Sequence, residues 1–409
     1  MSATTTLEQP KAQPEPPKKN DGGSLKAYLG QNIQQYGMIA ALLVIVAYFQ
    51  WSTDGLMLNP DNIAALIQQN AYVFVLTIGM VMVIVAGHID LSVGSVVAFV
   101  GGICAVLITD FELSWPLAVA ISIVIGGLVG CWQGFWVAYA GIPAFIVTLG
   151  GMLLFRGLAI VILEQTVAGL PSGFNDISNG SLPASLGYLG NLDGITVFIG
   201  VFAFAGLTIA QLRARRELTK LDLRTEPFAA FAGKLVLSAL AIGAITYLLA
   251  SSAGGTPIVL IIVGVLVLIY TFLMNNTIFG RHIYAMGGNL PAAMLSGVKT
   301  KRVNFLIFVN MGLLAGVAAV ITTSRAGAGI AAAGTNYELD AIAAAFIGGT
   351  SVNGGIGKIT GAITGALIMG VLNMGLSIMG TDPAYQQVIK GLVLIAAVAL
   401  DILNKRRGK

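Results

Sequence analysis

The sequence predicts an all-α polytopic membrane protein of about 10–12 transmembrane helices, some of them broken or re-entrant. Three observations predict it. Of the 409 residues, 56% are hydrophobic and 10% charged, against roughly 25% charged in a soluble domain. The mean hydropathy is +0.86, and the apolar residues fall into runs near the ~20 that cross ~30 Å of hydrocarbon. Glycine, at 52 residues, supplies the small side chains that close helix packing in lipid requires.

The same composition argues against an enzyme. His88 and His282 are far apart, and no Ser/His/Asp or Cys/His grouping stands at useful spacing. Cys104 and Cys131 lie inside apolar runs without ligand spacing, so they read as small buried hydrophobes rather than a disulfide or zinc site. No cofactor, metal or nucleic-acid partner is expected.

Residues 1–24 lack a hydrophobic run and are rich in Pro, Lys and polar residues, so 1–35 reads as a disordered tail and not a signal peptide. A transmembrane domain over 36–403 follows, and a basic tail at 404–409 ends the chain. Hydropathy places spans at 37–52, 62–86, 93–109, 116–139, 143–163, 194–212, 234–252, 257–276, 303–324, 338–349, 358–379 and 386–403. The tenth is too short to cross alone as a straight helix.

Charge orients the spans. Of the 22 Lys and Arg, four fall in 1–36, six in 213–234, four in 280–302 and four in 404–409. These segments are separated by even numbers of spans, so they share one side. The opposite loops hold only Arg325. Basic loops mark the cytoplasmic face, which puts both termini in the cytoplasm. The loop 165–193, rich in Gly, Ser, Pro and Asn, then faces outside and is long for a connection. The segment 213–233 reads as a charged amphipathic cytoplasmic insertion, which a basic helix lying at the headgroup boundary would also explain.

Two stretches should break helices. In 86–95, AGHIDLSVGS, Asp90 sits between glycine-bounded hydrophobic runs, where it could cap a helix beginning near Leu91, with Ser92 as a second polar oxygen. An acid at membrane depth is expensive, and it is usually tied to a helix N-terminus, a partner or a wet cavity. GGTSVNGGIGKI at 348–359 has the same look and suggests a worn repeat, with Asn353 as its amide. GGIGKIT at 354–360 is not a phosphate-binding loop, because Val352 stands at the first Gly and Ile359 follows Lys358. Glycine ladders at 130/134, 312/316 and 357/361/365 each put small residues on one helical stripe.

The longest polar island of the last two-thirds is 280–302, GRHIYAMGGNLPAAMLSGVKTKR. Asn289 is a good N-cap, Pro291 falls in the first turn, and Gly297 stands at the C′ position of a short helix over Leu290–Ser296. Basic residues on both flanks show it to the cytoplasm.

This island, with 337–373 (YELDAIAAAFIGGTSVNGGIGKITGAITGALIMGVLN) and AGHIDLSVGS, closely resembles the membrane permeases of ribose- and xylose-type sugar ABC importers. The resemblance runs from about residue 35 to the C-terminus. It implies an inner-membrane, multi-pass permease, a homodimer, that works with a separate ATP-binding cassette ATPase and a periplasmic sugar-binding protein. It also implies that the capped helix, with Asn289, Pro291, Ala292, Leu295, Ser296 and Gly297, is a coupling helix gripped by the ATPase. The loops 165–193 and 325–337 become docking surface for the binding protein, or else remain plain solvated loops. The insertion at 213–233 favours a xylose-like or multiple-sugar system. Polar or amphipathic groups expected along the route are Asp90, Ser92, Asn70, Gln133, Trp136, Asn310, Asn353 and Asn373, each with interhelical packing as the competing role. An ion-coupled secondary transporter is the alternative, resting on Asp90, Arg156, Glu338, Asp340 and Lys390 in or near spans. A channel or lipid-facing scaffold is the third.

Overall fold

The computed structural model describes residues 33–407 apart from 222 and 224. The tail expected over 1–35 lies, up to residue 32, outside the described residues, as do the last two residues of the basic tail. The described chain is almost wholly helical. Its helices are α1 (Ile33–Ser52), α2 (Pro60–Val85), α3 (Val93–Thr109), α4 (Trp115–Ala138), α5 (Ala144–Ile162), α6 (Ser172–Asn179), α7 (Gly194–Lys220) and α8 (Phe228–Ala250). They continue as α9 (Ile258–Asn276), α10 (Ile278–Gly288), α11 (Leu290–Leu295), α12 (Thr300–Ala326), α13 (Tyr337–Ile347), α14 (Ile359–Ile378) and α15 (Pro383–Arg407). Two-residue strands β1 (Val167–Ala168) and β4 (Ala328–Gly329) pair antiparallel, as do β2 (Tyr188–Leu189) and β3 (Leu192–Asp193).

Among the described residues, 8 helices are long and apolar enough to cross a membrane: α2, α4, α5, α7, α8, α9, α12 and α14. Gly37–Ser52 of α1 and Val93–Thr109 of α3 are shorter apolar helices. The protein is therefore an all-α polytopic membrane protein.

The bundle has an axis, α2, and two ends. Every residue of α2 from Val73 to Val85 is buried, so this helix is apolar on all sides and surrounded by protein. Its last carbonyl, on Val85, accepts from Gly355 N at 2.9 Å and lies against Gly287, so that end of the bundle carries α10 and α11. At the opposite end, Gln68 of α2 donates to the Asn179 carbonyl at 3.1 Å, and β1 pairs with β4. We refer to these as the α11 end and the hairpin end.

Glycines set the tightest contacts. A Cβ on Gly312 of α12 would overlap the Gly126 carbonyl oxygen of α4, and one on Gly130 would overlap the Phe308 carbonyl oxygen. The ladders at 130/134 and 312/316 thus face each other, letting two backbones touch where lipid supplies no hydrophobic drive. The third ladder is spent inside the chain as well. Gly361 and Gly365 of α14 pack on the Gly348 and Ala344 carbonyls of α13 and its end.

Helices α7 and α8 stand apart. They pack mainly on each other, and α7 buries only Gly194, Thr196 and Gly200. The described residues of 213–233 form no helix of their own. Instead α7 continues to Lys220, and Arg215 reaches the chain that turns back into α8. Its Nη1 donates to the Glu226 carbonyl at 3.0 Å, and its guanidinium lies 4.8 Å from the Phe231 ring centroid. The long loop 165–193 is folded around α6, whose Phe174 and Ser178 are fully buried. Ser324 of α12 donates to the Phe174 carbonyl at 2.8 Å and accepts from Ser178 N at 3.0 Å.

Candidate functional site

Two helices begin in the interior of the bundle. At ~1.5 Å per residue, α3 rises about 25 Å and α13 about 16 Å, so neither crosses the ~30 Å of hydrocarbon alone. They meet at their starts. A Cβ on Gly94 would overlap both the Gly334 carbonyl oxygen and a Glu338 carboxylate oxygen. The chain enters α3 from the α11 end through 86–92, and enters α13 from the hairpin end through 327–336. Both lead-ins are non-helical backbone, which survives at this depth only where protein surrounds it.

The lead-in to α3 is closed by a short relay. Asp90 Oδ1 accepts from Ser92 N at 2.8 Å and from Ser92 Oγ at 2.6 Å, and Gln133 Nε2 of α4 donates to Ser92 Oγ at 2.6 Å. All three are at most 2% exposed. The space around them, bounded by Val96, Gly130 and Gly312, has no room for a water molecule. The helix begins at Val93 instead of near Leu91, because Asp90 folds onto Ser92 as a local turn one step earlier.

The lead-in to α13 is held differently. Arg156 of α5 donates through Nη1 to the Ala331 and Ala333 carbonyls, each at 2.7 Å. Within α13, Asp340 is salt-bridged to Lys390 of α15 at 3.1 Å and accepts from Tyr72 Oη of α2 at 2.8 Å. The Tyr72 and Tyr337 rings stack at 3.5 Å with 13° between planes. Pairing is what intramembrane charges require. Beside this stack opens a cavity of about 220 Å³ at the hairpin end.

The α11 end gathers a second set. Asn289 Oδ1 caps α11 by accepting from Ala292 N at 3.0 Å, and Pro291 occupies the first turn. The helix is six residues, closing at Leu295, so Ser296 is its cap residue. Gly297 (φ 82) then bonds to the Met294 carbonyl and Val298 to the Ala293 carbonyl, at 3.0 and 3.1 Å. Those two bonds are the full glycine-terminated stop, which only a left-handed residue closes without strain. Leu295 is 92% exposed, with Leu290 and Met294 exposed beside it. Tyr284 of α10 donates to the Gly357 carbonyl at 2.6 Å, and Gly355 bonds to Val85, so the stretch 348–358 after α13 lies directly under α10. The resemblance between 86–95 and 348–359 thus places both at one end, touching, while the opposed counterpart of 86–92 is 327–336.

The sequence-predicted pathway residues divide among several places. Asp90, Ser92 and Gln133 come together as described. Asn373 Nδ2 donates to Asn70 Oδ1 at 2.9 Å, tying α14 to α2. Asn310 accepts from Tyr270 Oη at 3.1 Å, tying α12 to α9. Asn353 lies exposed in the stretch 348–358, and Trp136 is half-exposed on the outer face of α4, edge-on to Trp132 and Phe135. The Arg156 clamp and the stacked tyrosines were not marked in the sequence as pathway groups. The charged residues inside spans were the available signal.

The profile of the family described as branched-chain amino acid transport system / permease component matches residues 62–398. A xylose transport system permease protein of Escherichia coli (strain K12) is 40% identical over 388 residues, 94% of this chain and 96% of that one. One from Haemophilus influenzae is 38% identical over 376 residues, 92% of this chain and 98% of that one. A ribose import permease protein of Escherichia coli (strain K12) is 32% identical over 382 residues, 93% and 96% of the two chains. No solved structure matches the chain.

Proposed function

The chain belongs to the branched-chain amino acid transport system / permease component family, and on that premise we propose that it is the membrane permease of an ATP-driven sugar importer. It sits in the bacterial inner membrane with both termini cytoplasmic, it is not itself an enzyme, and ATP is hydrolysed by a separate cassette subunit. A periplasmic binding protein delivers the sugar, a xylose-like pentose or one of several monosaccharides. A second copy of the chain completes the assembly. The names of the relatives support the sugar, and the relatives speak against the ion-coupled alternative.

The single structural observation that carries the reading is α11. A six-residue helix capped at both ends, with Leu290, Met294 and Leu295 facing outward, is rigid, and its apolar face has no partner among the described residues. That combination suits a handle for an external motor. Force applied there reaches 348–358 through α10, and from there α13, whose other end meets α3 in the interior. The states exchanged are outward- and inward-open, and ATP shifts them only by binding one assembly better than the other. Asp90, Ser92 and Gln133 mark the closed interior end of the route. Asn70 with Asn373, and Asn310, hold the helices around it. The folded loop 165–193, anchored on α12, is the docking surface for the binding protein.

The test is Leu295→Ser in proteoliposomes holding the permease, the ATPase and the binding protein. A side chain this exposed leaves stability within about 0.5 kcal/mol of the parent, while loss of an anchor worth ~1.4 kcal/mol lowers ATPase affinity about tenfold. ATP-dependent uptake should fall with it. Uptake by the permease alone, driven by an ion gradient, would refute the reading outright.

A further inference from the structure

We infer that each copy of the chain carries its own monosaccharide site, the cavity of about 220 Å³ at the hairpin end lined by Gln68, Gln69, Tyr72, Thr322, Arg325 and Tyr337. The inference rests on the importer reading and names a place where that reading's substrate is held. At ~30 Å³ per water, the space equals about seven waters, which suits one sugar ring.

The polar groups of the lining, set among Ile321, Ile330 and Ala333, have the chemistry that holds a neutral polyol. Two primary amides and a hydroxyl offer donors and acceptors together, as a ring of hydroxyls requires. Tyr72 and Tyr337 add aromatic surface beside the apolar face of a sugar, which has C–H bonds on one side. No carboxylate lines the cavity. Its one cation, Arg325, stands in the last turn of α12, where the helix carbonyls offset its charge. Arg325 also donates to Asn179 and, at 3.5 Å, to Gln68. It is therefore placed as a fork that fixes the amides, and it does not ask for an anionic ligand.

The location supports the same assignment. Asn179 belongs to α6, so the folded outer loop forms the rim of the cavity. Tyr72 is bonded to Asp340, so the floor of the cavity belongs to α13. A sugar released onto the hairpin end would meet hydrogen-bonding groups attached both to the outer loop and to the half-helix that runs to the α11 end.

The experiment uses the full chain assembled with its ATPase and binding protein in proteoliposomes, with D-xylose and D-ribose as probes. Ala326→Trp fills the cavity from an exposed helix end that tolerates bulk. We expect ATP-driven uptake to fall about tenfold, a loss of ~1.4 kcal/mol of binding, at unchanged protein level in the membrane. In a second arm, Gln69→Cys in a chain freed of Cys104 and Cys131 is labelled with a maleimide. Sugar at about twice its Kd slows labelling roughly threefold by mass action. Uptake within twofold of the parent in Ala326→Trp, or labelling unaffected by saturating sugar, overturns the site while leaving the importer reading intact. If the unmodified assembly takes up no monosaccharide at all, it is the importer reading that fails, and the site with it.

Discussion

Helices α3 and α13 are built alike and secured unlike. Both are too short to cross hydrocarbon, both start in the interior behind a non-helical lead-in, and the first turn of α3 touches the start of α13 where Gly94 meets Gly334 and Glu338. The start of α3 is held by hydrogen bonds among Asp90, Ser92 and Gln133, without an ion pair, in space with no room for water. Helix α13 is held by charge, through Arg156 on its lead-in and the Lys390–Asp340 bridge within it, and a cavity adjoins it. Close packing without voids resists movement, because a packed interior is bistable and not soft. An ion pair beside open space can be exchanged for water or a ligand. The difference teaches that the two starts resist displacement by different means, and it fits the proposal that α13, not α3, transmits movement from the α11 end.

The variant with the largest expected effect strikes both halves at once. In Gly94→Val, the new Cβ would overlap the Gly334 backbone and the Glu338 carboxylate. Backbone cannot yield as a flexible side chain does, so overpacking here exceeds the usual ~1–3 kcal/mol. Little folded protein should be recovered by size-exclusion chromatography in detergent. Recovery at parental yield would mean that the two starts do not touch.

The next variant separates the halves. Lys390→Met strands Asp340, which is 4% exposed, and an unpaired buried charge costs about 3–5 kcal/mol. Thermal unfolding should move down strongly, and the double variant Lys390→Met with Asp340→Asn should regain most of the loss. A double variant no better than the single one would show that the bridge is not what secures α13.

How much of this was legible in the chain depended on how local the cause was. The cap at Asn289 and the stop at Gly297 lie eight positions apart, and each bonds to backbone three residues away, so the residue types alone placed α11 to within one residue. The break at 86–92 announced itself by an acid among apolar residues. The opposed break at 327–336 did not. GAGIAAAG reads as any small-residue loop, and what draws it inward is a guanidinium from α5, about 175 positions away. The amides expected along the route do not gather in one place, and the reason is the same. Asn70 and Asn373, and Asn310 and Tyr270, satisfy one another across helices, and no spacing in the sequence reveals which partner a buried amide will find. The glycine ladders showed that backbones would touch, but not which ones.

The smallest effect tests the claim that α3 is secured by hydrogen bonds and not by an ion pair. In Gln133→Leu the amide donor to Ser92 is lost, while Ser92 keeps its own bond to Asp90. The replacement is apolar and of similar length, so no buried donor is stranded and the net cost is that of one neutral hydrogen bond, about 0.5–1.5 kcal/mol. Thermal unfolding should therefore shift by a fraction of what Lys390→Met produces, and ATP-driven uptake should persist. If Gln133→Leu proves as damaging as Lys390→Met, Asp90 is drawing charge stabilisation through the relay. The contrast between a hydrogen-bonded anchor and a salt-bridged one would then give way to two charge-dependent anchors, with neither half-helix free to move alone.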